Sequence, residues 1–197
     1  MNGMWKKMNS EQLGDLVAVE DLDPQAQLMF DPAMRPDTFI GKLAQENLWS
    51  DAFKLAALTL PPREAVWWAC MCARTAPSIV DKEAEIAALE SAEKWVFEPN
   101  ADNRKKAFEL AQECDPCLAG GMCAFTATYH DSRLPLVDGT EAELEPSVFP
   151  AMVTGVIMMA AADTQKPRGM FERFERFLKS AEEIANGGDG RMSDLAE

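Results

Sequence analysis

Residues 60–74 read LPPREAVWWACMCAR. Pro61 and Pro62 lack the N–H that a helix interior needs, yet they suit a first turn, where that donor has no partner within the helix. Glu64 then falls near the positive end of the helix dipole and Arg74 near the negative end, each at its favourable terminus. Pro77 blocks continuation beyond Ala76. Between those ends Ala65, Val66, Trp67, Trp68, Cys70, Met71 and Cys72 leave no side for water, so other elements have to surround this helix. It is too short to cross a bilayer. The stretch predicts a central buried helix and, with it, an all-α fold.

Composition supports that reading. The chain has 197 residues, 47% of them hydrophobic, enough for one sizeable core. The opening residues MNGMWKKMNSEQLGD carry two lysines with no apolar run behind them, so no secretory signal is expected. The longest apolar run, residues 148–162, is interrupted by Pro150 and falls short of the roughly 18–20 residues of a membrane helix. A cytoplasmic protein without a membrane partner is expected. Five cysteines, an odd number, suggest free thiols rather than a disulfide framework. The net charge of -14 argues against nucleic acid and anionic membranes, and favours encounter with a basic protein partner.

Outward from the buried helix, the pattern stays helical. Residues 1–30 lack sustained periodicity, and Glu11, Asp15, Glu20, Asp21 and Asp23 mark them as a flexible acidic arm. Residues 31–187 form the helical domain. Phe39, Ile40, Leu43, Phe53 and Leu55 predict one or two helices over 38–60, broken near Trp49. Ser78 and Asp81 have capping-box spacing, ahead of a face made of Ile86, Leu89, Ala92 and Val96. Ala107, Phe108, Ala111 and Cys114 make the next stripe, with Arg104 on the opposite side. Asp115 and Pro116 signal a further helix start. Gly120 and Gly121 inside it each cost about 1 kcal/mol relative to alanine, which suggests a closely approaching neighbour, the tryptophans being candidates. Residues 132–146 read as the one long loop, with a turn at Asp138 and Gly139, and no strand is convincing. A second apolar helix spans 148–162, and a third, amphipathic one, 167–186, carries Phe171, Phe174, Phe177, Leu178, Ala181 and Ile184 on one stripe. Asn186 and Gly187 end it, leaving 188–197 as a disordered tail. The sum is a single compact domain of about six or seven antiparallel helices around two apolar central ones.

Candidate chemistry is sparse. Cys114 and Cys117 form a C-x-x-C, but a redox pair of thioredoxin type would follow a strand. Cys70 and Cys72, two apart on a helix, diverge too far to share a zinc ion with them. Small buried hydrophobes are the simplest reading of these thiols. The single histidine, His130, lies seven positions from Cys123, about 10.5 Å along a straight helix and out of hydrogen-bond reach; a capping role suits it better. Asp138, Glu141, Glu143 and Glu145 do not match a calcium loop. Glu64 is the one acid with an expected buried setting, and Arg63 and the helix start account for it. No catalytic, cofactor-binding or metal residue is assigned, and an enzyme is not expected.

Three segments, LPPREAVWWACMCAR, VFPAMVTGVIMMAAA and FERFERFLKSAEEIANG, together resemble one uncharacterised bacterial all-helical family, a domain of unknown function. The resemblance spans residues 39–188, and 115–146 depart from the pattern. It implies a small helical protein without catalytic motifs, loosely associated with type VI secretion gene neighbourhoods. The resulting expectation is a non-enzymatic protein-binding accessory, adaptor or chaperone, in a setting such as effector loading. Alternatives are an immunity-type inhibitor of a toxin, a homo-oligomeric scaffold, or a thiol redox or zinc-binding protein using Cys114 and Cys117.

Overall fold

The computed structural model describes residues 4–135, 140–164 and 169–192. Nine α-helices are found among them, one a single turn: α1 (Pro24–Gln27), α2 (Pro36–Gln45), α3 (Trp49–Thr59), α4 (Pro62–Ala73), α5 (Glu83–Phe97), α6 (Ala101–Ala111), α7 (Ala119–Thr128), α8 (Val148–Ala162) and α9 (Gly169–Ala185). The two apolar helices α4 and α8 sit at the centre. α4 touches α3, α5, α7, α8 and α9, and α8 touches α3, α4, α7 and α9. Pro62 stands in the first turn of α4, and Pro150 in that of α8, where neither breaks a hydrogen bond. Trp68 is fully buried and donates its indole N–H to the Phe177 carbonyl at 2.7 Å, joining α4 to α9. On α9 the expected stripe holds from Phe174 to Ile184, but Phe171 is half exposed and the buried residue beside it is Arg173, which donates to the Ala160 carbonyl at 2.7 Å.

Two helix starts, those of α5 and α7, differ from the sequence pattern. Ser78 does not cap α5. A short 3-10 turn at Pro77–Ile79 intervenes, and the Ser78 N–H donates to Asp163 at the end of α8, 2.8 Å away. α7 starts at Ala119, later than Pro116 suggested, and has no cap from its own side chains. Its first turn is served by Glu85 of α5, 2% exposed, whose carboxylate accepts from Gly121 N at 2.8 Å and Asp115 N at 2.9 Å. A carboxylate at a helix N-terminus is the favourable sign for the dipole. Glu85, rather than Glu64, is the deeply buried acid; Glu64 is partly exposed and pairs with Lys7 at 3.1 Å.

Glu85 also explains the paired glycines. A Cβ on Gly120 would lie 2.5 Å from the Glu85 carbonyl oxygen, and one on Gly121 would lie 2.4 Å from Cys114 Cβ. The close neighbours are therefore α5 and the Cys114 turn, not the tryptophans.

Residues 4–30 are not a free arm. Trp5, Leu13, Val17, Leu22 and Ala26 are buried while the acids between them face water. Arg35 and Asp37 hold the segment in place. The Asp37 carboxylate accepts from Trp5 N at 2.9 Å and from Arg35 Nη2 at 2.9 Å, and Arg35 also donates to Glu11 and to the Trp5 carbonyl. Aperiodic spacing hid this packing, because an irregular strap needs no repeat to bury a few large side chains.

The loop at 132–146 also contains more order than expected. β1 (Arg133–Pro135) and β2 (Glu141–Glu143) pair antiparallel, Arg133 opposite Glu143. The Glu-Ala-Glu alternation has the period of a strand. The expected turn at Asp138 and Gly139 lies outside the described residues. Arg104 of α6, far from being a solvated residue, anchors this hairpin with all of its N–H donors: to the carbonyls of Thr128 and Arg133, each at 2.8 Å, and to the carboxylates of Asp131 and Glu141. At the other end of the chain α9 closes in a Schellman turn, with Gly188 N donating to Glu183 O, Gly187 N to Ile184 O, and Gly187 at φ +90°. The following residues to Met192 then pack back onto the domain instead of fraying; residues 193–197 lie outside the described ones.

Two predictions follow from this packing. Gly120→Ala should destabilise the domain by about 1–3 kcal/mol through overpacking, whereas Gly155→Ala in α8, whose Cβ would meet nothing within 4 Å, should stabilise it by about 0.5–1 kcal/mol; chemical denaturation of both variants checks the contrast. Burial pushes the Asp37 carboxyl pKa up, but the Arg35 hydrogen bond and charge and the Trp5 and Thr38 N–H groups outweigh it and hold it below 3.8. Stability from this depressed group is complete above pH 3.8 and is lost as pH falls through the lower folded value. An acid titration followed by amide exchange of residues 4–10 should therefore show their release in that window, and Asp37→Asn should show them exchanging fast at every pH.

Candidate binding surface

The thiols are distributed in a way that separates the C-x-x-C pair. Cys114 sits half-buried with Sγ 3.4 Å from the Leu110 carbonyl and 3.5 Å from the Ala84 carbonyl, its single S–H shared between them. Burial, and after it the Glu85 carboxylate, pushes its pKa up to about 11. A redox or metal-binding thiol needs the opposite shift. Cys117 is exposed, and its N–H donates to the Asp115 carboxylate in a local turn, at 2.9 Å. Cys70, Cys72 and Cys123 are buried; burial drives the pKa of Cys70 and of Cys72 well up, and the Cys123 thiol lies against Cys70. Among the described residues no three His, Cys, Asp or Glu side chains converge as a metal site would require.

His130 is placed as a structural group. Its Nδ1–H donates to the Ala127 carbonyl at 2.9 Å, and its ring lies 4.4 Å from that of Trp95. Burial pushes its pKa below 6.5 despite the raising effect of the Ala127 carbonyl and Asp131.

The surface feature that stands out lies on α4 itself. Trp68 enters the core, but Trp67, one residue earlier and about 100° around the helix, is only partly buried. Its ring meets Phe97, the last residue of α5, edge-on at 5.3 Å, and Phe97 is 66% exposed. Such an aromatic pair offers a large apolar contact area at low entropic cost to a partner. Two cavities open on either side of it. One, of about 400 Å³, runs from Lys7, Arg63 and Glu64 past Val96 and Ile184. The other, of about 480 Å³, is bounded by Met71, Thr75, Glu93 and Met192. Trp67, Phe97 and Arg191 line both. The charges at the rim are largely matched, Lys7 with Glu64, Arg74 with Glu93 and Arg191 with Asp189.

Sequence reading missed this surface by treating residues 65–73 as apolar on every face. The available signal was Phe97, which falls one position past the Ile86–Leu89–Ala92–Val96 stripe and so points off the core. That an aromatic there would meet Trp67 depends on how α4 and α5 cross, which no local pattern encodes.

The thiol geometry gives a direct test. Titration of the native protein with a disulfide reagent should show one rapidly reacting thiol, removed by Cys117→Ser, with the other four reacting slowly until the chain is unfolded.

No helix among the described residues is long and apolar enough to cross a membrane. Comparison with curated proteins and with solved structures gives no match. The model of a family of unknown function, DUF6931, matches residues 39–185, a span that takes in α4, α5 and α8 entire and with them Trp67 and Phe97. The chain belongs to that family.

Proposed function

We propose that this chain is a non-enzymatic protein-binding accessory, an adaptor or chaperone, that holds part of a partner protein on the Trp67–Phe97 face. The observation that carries the reading is the pairing of exposed Phe97 with half-buried Trp67, with a cavity on each side. An aromatic two-thirds open to water does little for the fold, but it suits the centre of an interface, where Trp and Tyr-like anchors supply much of the binding energy. The elevated thiol at Cys114 and the carbonyl-bound His130 support a non-catalytic role. The net charge of -14 favours a partner of basic surface, steered at long range and then held by the aromatic contact. The sequence resemblance is the ground for a setting beside a type VI secretion system, with effector loading as the task, and the opening residues, which lack a secretory pattern, are the ground for a cytoplasmic one.

Affinity capture of the tagged chain with mass spectrometry tests the proposal. A stoichiometric partner should be recovered at low salt and weakened at high salt. Phe97→Ser should reduce its recovery at least tenfold while leaving folding stability within about 0.5 kcal/mol, as expected of an exposed position. Undiminished recovery by the Phe97→Ser protein would remove this face from the interface.

A further inference from the structure

The Trp67 face already holds a peptide. After the Schellman turn, residues 188–192 run across it, and two side chains from different helices read consecutive carbonyls of this segment. Trp67 Nε1–H of α4 donates to the Asp189 carbonyl at 2.7 Å, and Ser180 Oγ–H of α9 donates to the Gly190 carbonyl at 2.6 Å. Side-chain donors aimed at main-chain carbonyls hold a chain by its backbone. Next to these contacts Met192 packs against the core, and Arg191 stands between the two cavities.

We propose that this groove is a peptide-binding site occupied in cis by the chain's own residues 188–192, and that a glycine-containing peptide segment of a partner binds by displacing them. The inference rests on the protein-binding reading above and adds to it the form of the ligand and a competing latch. The occupant fills the groove incompletely, with cavities of about 400 and 480 Å³ left beside it. It is also costly to order. Gly188 and Gly190 are two of its five residues, and glycine loses more freedom on ordering than any other residue. Gly190 sits at φ +63°, the left-handed region, with its α-carbon against α9: a Cβ there would fall 2.6 Å from Ile184 Cδ1 and 2.8 Å from Ser180 Oγ. The displacing segment needs two adjacent carbonyls spaced as those of Asp189 and Gly190, a glycine over Ile184, and an apolar side chain for the Met192 position.

The test uses the full-length chain, with Gly190→Val to evict the latch and a fluorescent peptide of residues 186–192 as probe. The strain and the clash with Ile184 should free the segment. Helical circular dichroism should remain near that of the wild type, and the probe should bind the variant at least tenfold more tightly than the wild type, whose own tail competes at high effective concentration. Adding Trp67→Phe, which deletes the indole donor and keeps a ring, should weaken the probe severalfold. Equal binding to both proteins, or none to a folded Gly190→Val chain, overturns the inference. So does loss of the helical signal in that variant, which would make residues 188–192 part of the cooperative core. Partner capture that depends on Phe97 but is the same for wild type and Gly190→Val would leave the protein-binding reading standing and remove the latch alone.

Discussion

The architecture depends on a helix that has no surface to spare. α4 buries Val66, Trp68, Ala69, Cys70, Met71 and Cys72, and so needs neighbours on nearly every side. Trp68 adds a polar condition, since an indole N–H withdrawn from water has to find an acceptor or cost about 1–3 kcal/mol. The Phe177 carbonyl of α9 meets that condition. The last long helix of the chain is thereby locked to its middle, and α8, apolar almost throughout, is trapped among α3, α4, α7 and α9. Phe53 and Phe174 pack edge-on at 5.2 Å beside this junction and complete the aromatic centre.

Around that core, buried and partly buried charges join segments far apart in the chain. Glu85 caps a helix it does not belong to, Arg104 gathers the end of α7 with the hairpin, and the Arg35–Asp37 pair holds the first residues. Each charged group is satisfied by several partners, as burial demands. Ties of this kind explain how a strongly acidic chain keeps even its irregular segments ordered: the acids without a structural partner are left at the surface, while the few that are buried act as caps and clamps.

The same division shapes the surface proposed to bind a partner. Neighbouring tryptophans of one helix do opposite things, Trp68 serving the core and Trp67 the groove. The groove contains apolar contact area from Trp67 and Phe97, paired charges at its rim, and two donors that address a backbone. This combination is what the proposal of a polypeptide partner rests on, and it belongs to the helical scaffold of α4, α5 and α9.

What the sequence determined was the all-α class, the central position of α4 and α8, and most helix limits. These follow from patterns within one element: prolines confined to first turns, 3.6-residue apolar spacing, and the Asn186–Gly187 stop. Tertiary structure alone decided which acid is buried, why Gly120 must be glycine, that residues 4–30 pack, and that Trp67 meets Phe97 and the Asp189 carbonyl. Each of those facts joins residues far apart in the chain, 122 positions in the case of Trp67 and Asp189, or depends on the angle at which two helices cross. Local spacing records the side a residue presents. What stands opposite it is set by the packing of the whole chain.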